Sequence, residues 1–219
     1  MQNETNAPEI KVQEIASQSR IRTYNGKWKV LILALTAVFS LIFVLSSFMT
    51  IIPFHVSLAI YVGGTIVFIY LFYPANDKSS RSAPTILDWL LMLFALLSTI
   101  YYIVQYEELL LNAGNVRTSD LIFGLMIIIA SLEACRRVIG VILPVLCIIF
   151  ILYNLFGQYI PGMVGHSGFS LERLVGTIYS YDGVYGIVAR TYAVYVLIFI
   201  LLGAFLEKSG AGEAFTNLA

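Results

Sequence analysis

Charge is scarce in this chain: only 12% of its 219 residues are Asp, Glu, Lys or Arg, about half the share usual in soluble globular domains. The formal net charge is zero, and no long basic stretch interleaves with aromatics, which excludes the electrostatic footprint of a nucleic-acid binder. Cysteine is limited to Cys135 and Cys147. Both lie in or beside apolar runs without the spacing of a CxxC pair or a metal knuckle, so they read as small membrane-buried side chains. The two histidines, His55 and His166, each stand alone and read as interfacial loop residues, so no metal site is expected. No cluster of His, Asp or Glu falls at helix depth, so no catalytic residue is assigned and a membrane-embedded enzyme is not expected. A GxxxxGK[ST] phosphate loop is missing too, so any solute movement takes its energy from an ion gradient or another subunit.

What the chain has instead is apolar length. Hydrophobic residues make up 59% of it, gathered into runs near the ~20 residues that cross a hydrocarbon core. The bilayer is therefore the expected solvent, and the expected fold is all-α: a polytopic integral membrane protein of about six transmembrane helices plus a short interfacial or re-entrant helix. Residues 1–27 form a polar tail, too polar and too long for a cleaved signal, so the first helix is expected to stay uncleaved. Arg20, Arg22, Lys27 and Lys29 precede the first run, Trp28 to Phe48, which Trp28 anchors at headgroup level.

A break at Ile51–His55 leads to a second run, Val56 to Phe72. The Pro74–Pro84 segment reads as a loop containing Lys78 and Arg81. Asp88-Trp89 opens a third run to Val104, and Glu107–Ser119 reads as a polar loop with turn signals at Asn112 and Gly114-Asn115. The stretch from Asp120 to Phe156 is too long for one crossing. It holds Glu133, Arg136 and Arg137 near its middle, followed by Gly140 and Pro144. Charges at mid-bilayer cost several kcal/mol each, so the stretch is split into a short, steep helix four and a helix five. After a glycine-rich loop, Gly157 to Ser170, a short helix is expected over Leu171–Ser180 with Ser170 as N-cap and Glu172 in its first turn. Gly183 to Leu206 is the last expected crossing, capped at Gly210.

Positive charge checks this count independently. Alternating crossings place Arg20, Arg22, Lys27 and Lys29, the Lys78/Arg81 loop, the Arg136-Arg137 turn and Lys208 on one side, the expected cytoplasmic side. The other loops carry only Arg117 and Arg173.

Few residues stand out as candidate sites. Glu133 and Arg137 share a helix face four residues apart, and the expected role is a helix-end ion pair that fixes topology, with a subunit contact or a gate as the functional alternative. Arg136 belongs to the same turn. Arg190 lies inside the last apolar run, with Asp182 two turns earlier on a similar face. It is expected to snorkel to the external interface, the alternative being a watery cavity. The tail from Gly203 through Glu207 and Lys208 to Gly210 combines small residues, a charge pair and a cap, the composition of close helix contacts and broken helices in transporters.

The segment "FILLGAFLEKSGAG" at Phe199–Gly212, with "IYSYDG" at Ile178–Gly183, resembles the early part of the large M-type subunit of tripartite ATP-independent periplasmic (TRAP) transporters. More narrowly, it is similar to fused permeases that work with TAXI-type binding proteins. "DWLLMLFALLSTIYYIVQYEELLLNAGN" at Asp88–Asn115, "LEACRRVIGVILPVLCIIFILYNLFG" at Leu132–Gly157 and "HSGFSLERLVGTIYS" at His166–Ser180 agree in order and spacing. The resemblance covers most of the chain after Trp28. It implies a sodium-coupled importer in a bacterial or archaeal inner membrane, receiving a small-molecule solute such as an organic acid from a periplasmic binding protein, with sodium as coupling ion and no other cofactor. It further implies that residues 28–135 are a Q-like four-helix scaffold and 136–219 the start of an M-like transport part. Family permeases continue for many more helices, so the chain looks truncated at Ala219, and the substrate- and ion-binding residues are expected beyond it. The rival reading is a structural or assembly subunit that binds partner helices and transports nothing.

Overall fold

In the computed structural model, residues 21–48, 52–76, 79, 83–111, 115–162 and 164–210 are described, residues 45–48 by their backbone only. The expectations for the 1–18 tail, Arg20, Lys78, Arg81, Asn112, Gly114 and the Ala211-Gly212 end lie outside them. Every regular element among the described residues is helical: α1 Lys27–Phe48, α2 Phe54–Phe72, α3 Ile86–Val104, α4 Tyr106–Leu111, α5 Thr118–Val138, α6 Ile142–Phe156, α7 Leu171–Ile178, α8 Ile187–Thr191 and α9 Leu197–Lys208. A 3-10 turn, Gly157–Tyr159, follows α6, and a π turn, Tyr192–Val196, joins α8 to α9.

Five segments are long and apolar enough to cross a membrane: Lys27–Val44, Phe54–Phe72, Ile86–Val104, Ile142–Tyr159 and Ile187–Lys208. The one expected crossing outside this set, helix four (α5), has the length, since its 21 residues span about 31 Å at 1.5 Å per residue. It falls outside the apolar set because it carries Asp120 in its first turn and Glu133, Arg136 and Arg137 towards its end. It is also not the short helix expected. The break after it is where the charges placed it: Gly140 takes a φ of +106°, open to glycine and strained for other residues. Pro144 then sits in the first turn of α6, where its missing N–H costs nothing. The expected boundary between residues 135 and 136 falls inside the last turn of α5.

The core lies between α2, α3 and α5. Leu58, Ala59, Ile66 and Tyr70 of α2 pack with Leu91, Met92, Ala95 and Tyr102 of α3 and with Ile127, Ala130 and Ala134 of α5. Lipid is as apolar as these side chains, so association rests on close packing, which small residues permit. At Gly63 of α2 an added Cβ would lie 2.2 Å from the Thr99 hydroxyl oxygen of α3, and at Gly124 of α5 it would lie 2.5 Å from Val175 of α7. Neither helix pair could approach so closely with a larger residue there.

The remaining long helices are peripheral. α1 touches α2 through Phe39 on Phe68, ring centroids 4.9 Å apart, and Phe43 on Tyr61 at 5.1 Å. Trp28, Val30, Leu31, Leu35, Val38 and Leu41 face outward. α6 buries only Pro144, and the α8–α9 segment only Ala193. Apolar faces of this extent mark contact with lipid or other helices, so the chain is an all-α polytopic membrane protein.

Three local expectations need amendment. The polar 107–119 segment begins with the helix α4. The last crossing starts at Ile187, because Ser180–Gly186 is a series of turns. It is interrupted at the π turn, where the Leu197 N–H reaches back to the Tyr192 carbonyl. Ser170 caps α7 as read from the sequence, its hydroxyl accepting the Arg173 N–H at 3.3 Å.

Candidate functional site

A helix C-terminus leaves its last carbonyls without partners and carries the negative end of the helix dipole. At the end of α2 these carbonyls are taken by donors from elsewhere in the chain. The Arg22 backbone N–H donates to Phe72 O at 2.8 Å and its Nη1 to Tyr70 O at 2.8 Å, while the Tyr24 hydroxyl donates to Leu71 O at 2.7 Å. From α5, Arg137 Nη1 donates to Tyr73 O at 3.1 Å and Arg136 Nη2 to Ala75 O at 2.9 Å. Three arginines thus converge on one helix end.

Asp88 of α3 holds two of them together. Its carboxylate accepts Arg22 Nη2 on Oδ2 and Arg137 Nη1 on Oδ1, both at 2.5 Å, with all three side chains fully buried. It also accepts the Thr85 N–H at 2.7 Å, so the same group caps the positive end of α3. Glu133 completes the cluster, accepting Arg137 Nε at 2.9 Å and Arg136 Nε and Nη2 at 2.7 Å each. The Arg137 guanidinium rests 4.6 Å from the centre of the Tyr70 ring, and the Tyr70 hydroxyl donates to Ala130 O of α5 at 2.5 Å. Three guanidinium groups face two carboxylates, leaving the cluster one positive charge in excess. Such a cluster holds helix ends in register, because removing one member strands buried charge.

This geometry also fixes which ends meet. The start of α1, the end of α2, the start of α3 and the end of α5 lie together, so Arg22, Arg136 and Arg137 occupy one end of the bundle, as alternating crossings require.

The opposite end is built from rings. Tyr102 of α3 stacks on Tyr185 with centroids 3.8 Å apart, and Tyr179 meets Tyr102 edge-on at 5.9 Å. His55 of α2 stacks flat on Tyr106 of α4 at 3.7 Å. The Tyr179 hydroxyl donates to Ser98 O at 2.5 Å, and Ser98 Oγ donates to Phe123 O at 2.8 Å, joining α7, α3 and α5. Beside these rings is a pocket of about 310 Å³ whose lining includes Tyr102, Tyr106, Asp120, Arg173, Tyr181 and Asp182, a volume at the small end for ligand sites. Asp120 is already engaged by the Tyr101 hydroxyl at 2.6 Å and by the Arg117 N–H at 3.0 Å.

Of the residues singled out from sequence, Glu133, Arg136 and Arg137 come together as an ion cluster, and Glu133–Arg137 is the i,i+4 pair expected. The cluster goes further than a surface pair, since Arg137 is buried and bound to α3. Arg190 is at the other end, half-buried, and forms no ion pair with Asp182. Its guanidinium lies between the Phe54 and Tyr181 rings, 4.8 and 4.7 Å from their centres, and its Nε has no hydrogen-bond partner among the described residues. Asp182 sits in the turns before α8, exposed and with no ion pair among the described residues. Glu207 and Gly210 remain apart from both groups. Gly210 takes a φ of +73° just past α9, as a C-terminal glycine does, and a Cβ at Gly203 would meet nothing within 4 Å.

Sequence reading missed the Arg22–Asp88 bond. Its signal was an aspartate in the first turn of α3, at the end of the bundle where the basic residues were expected. His55 and His166 have partners of their own: His55 its tyrosine, and His166 the Gly168 N–H, which donates to Nδ1 at 3.0 Å. Among the described residues no group of three or more His, Cys, Asp or Glu is placed to hold a metal. Comparison of the chain with protein-family models, with curated proteins and with solved structures returns no match in any of the three.

Proposed function

We propose that the chain is a permease component of a TRAP-type secondary transporter, sodium-coupled, importing an organic acid or similar solute handed over by a periplasmic binding protein. What supports the reading is the ordered set of segments similar to fused permeases, ending in "FILLGAFLEKSGAG". The architecture is compatible with it: a packed group of α2, α3 and α5, locked at one end by ions, suits a scaffold, and α6 and α8–α9 leave apolar faces against which further permease helices would pack. In this reading the ion-cluster end faces the cytoplasm of a bacterial or archaeal cell and the tyrosine end faces the periplasm. The π turn beside Arg190 puts an irregular backbone in the last crossing, the kind of element that transporters use where a path is lined.

A second reading rests on the same uncovered faces: a structural or assembly subunit that only binds partner helices. Solute uptake by vesicles that contain the full gene product separates the two. The transport reading expects uptake only with an inward sodium gradient and a binding protein present. Uptake that needs neither, or none with both supplied, overturns it.

A further inference from the structure

At the ion-cluster end, a second pocket of about 410 Å³ opens between the segment preceding α1, the first turns of α1 and the end of α2. Its lining includes Arg22, Asn25, Lys29, Ile32, Leu33 and Phe72. Among the described residues the lining holds two cationic ones and no acidic one. Lys29 is exposed and has no ion pair among the described residues. Arg22 is buried in a cluster with excess positive charge, and its Nε has no hydrogen-bond partner among the described residues. Beside these, Ile32, Leu33 and Phe72 supply apolar surface.

A site that is basic on one side and apolar on the other matches a ligand with a phosphate joined to hydrocarbon, and the place where a crossing begins is where such headgroups lie. The exposed Trp28 marks that level, since tryptophan favours the interface. We infer that this pocket binds the headgroup of an anionic phospholipid, with Lys29 meeting the phosphate and Ile32, Leu33 and Phe72 meeting the first part of the acyl chains. Basic pockets between crossings recognise anionic lipids by this chemistry. The inference rests on the membrane location and is independent of the transport reading.

The chain has two tryptophans, so Trp89→Phe leaves Trp28 as the only reporter next to Lys29. This variant is reconstituted in phosphatidylcholine vesicles containing either brominated phosphatidylglycerol or brominated phosphatidylcholine, and Trp28 fluorescence is read. Quenching is expected at a several-fold lower mole fraction of the anionic lipid. Lys29→Gln should reduce that preference roughly fivefold, the worth of one lysine near an anionic surface. Lys27→Gln, which removes an exposed cation outside the lining, should change it less than twofold. Equal quenching by both lipids, an unchanged preference in Lys29→Gln, or equal losses in the two lysine variants would overturn the site, the last because it reports diffuse attraction to the surface.

Discussion

The two ends of the helix bundle are held by different forces. One end joins four helix termini through Arg22, Asp88, Arg137, Glu133 and Arg136, while the other joins its elements through tyrosine rings, a histidine stack and one guanidinium between two rings. Ionic contacts fix distance and direction to within a hydrogen bond, and they fail abruptly when one member is lost. Ring contacts have shallow geometric preferences and tolerate small sliding. The contrast suits an end that stays in register and an end that adjusts.

The largest test of that contrast is Asp88. Asp88→Ala leaves Arg22 and Arg137 buried without their shared carboxylate, and breaking a buried ion pair on one side costs about 3–5 kcal/mol. Unfolding in detergent should register a loss of that size, and the Arg22→Ala/Asp88→Ala double variant should lose less than the sum of the single ones because the two residues touch. Additive losses would mean that the cluster does not act as a unit.

The sequence made the helices legible because each apolar run is long and bounded by proline, glycine or charge, and α5 ends close to where its arginines placed the break. Glu133–Arg137 was legible for the same local reason, being four residues apart on one helix. Arg22–Asp88 was not, because the partners are 66 residues apart and only the pairing of α1, α2 and α3 brings them together. The ring partners of Arg190 were not legible for a related reason: Phe54 and Tyr181 come from two other parts of the chain, and an aromatic pair leaves no charge pattern. The π turn had no signal either, since Tyr192–Val196 is as apolar as the helix around it.

At the ring end the effects should be smaller. Arg190→Met keeps an unbranched apolar stem and removes the guanidinium from between the two rings, each cation–π contact being worth about 0.5–2 kcal/mol. A stability loss of about 1–2 kcal/mol is expected in the same unfolding assay, and a loss matching that of Asp88→Ala would erase the distinction between the ends. Tyr70→Phe tests the seam within the ionic end. It keeps the ring beneath Arg137 and removes the hydroxyl that donates to Ala130 O, so it should cost about 1 kcal/mol, the net worth of one hydrogen bond.

The smallest effect belongs to the Arg117–Glu108 ion pair, which lies near the ring end between α4 and the start of α5. Both side chains are half exposed, so water screens the attraction, and ordering two long side chains offsets much of what remains. Glu108→Gln should therefore change stability by less than about 0.5 kcal/mol. If it rivals Asp88→Ala instead, ions rather than rings hold this end too, and burial is not what separates a strong cluster from a weak pair in this protein. If it stays small, the same chemical pair, an arginine with a carboxylate, counts at one end and not at the other because only one of them is removed from water.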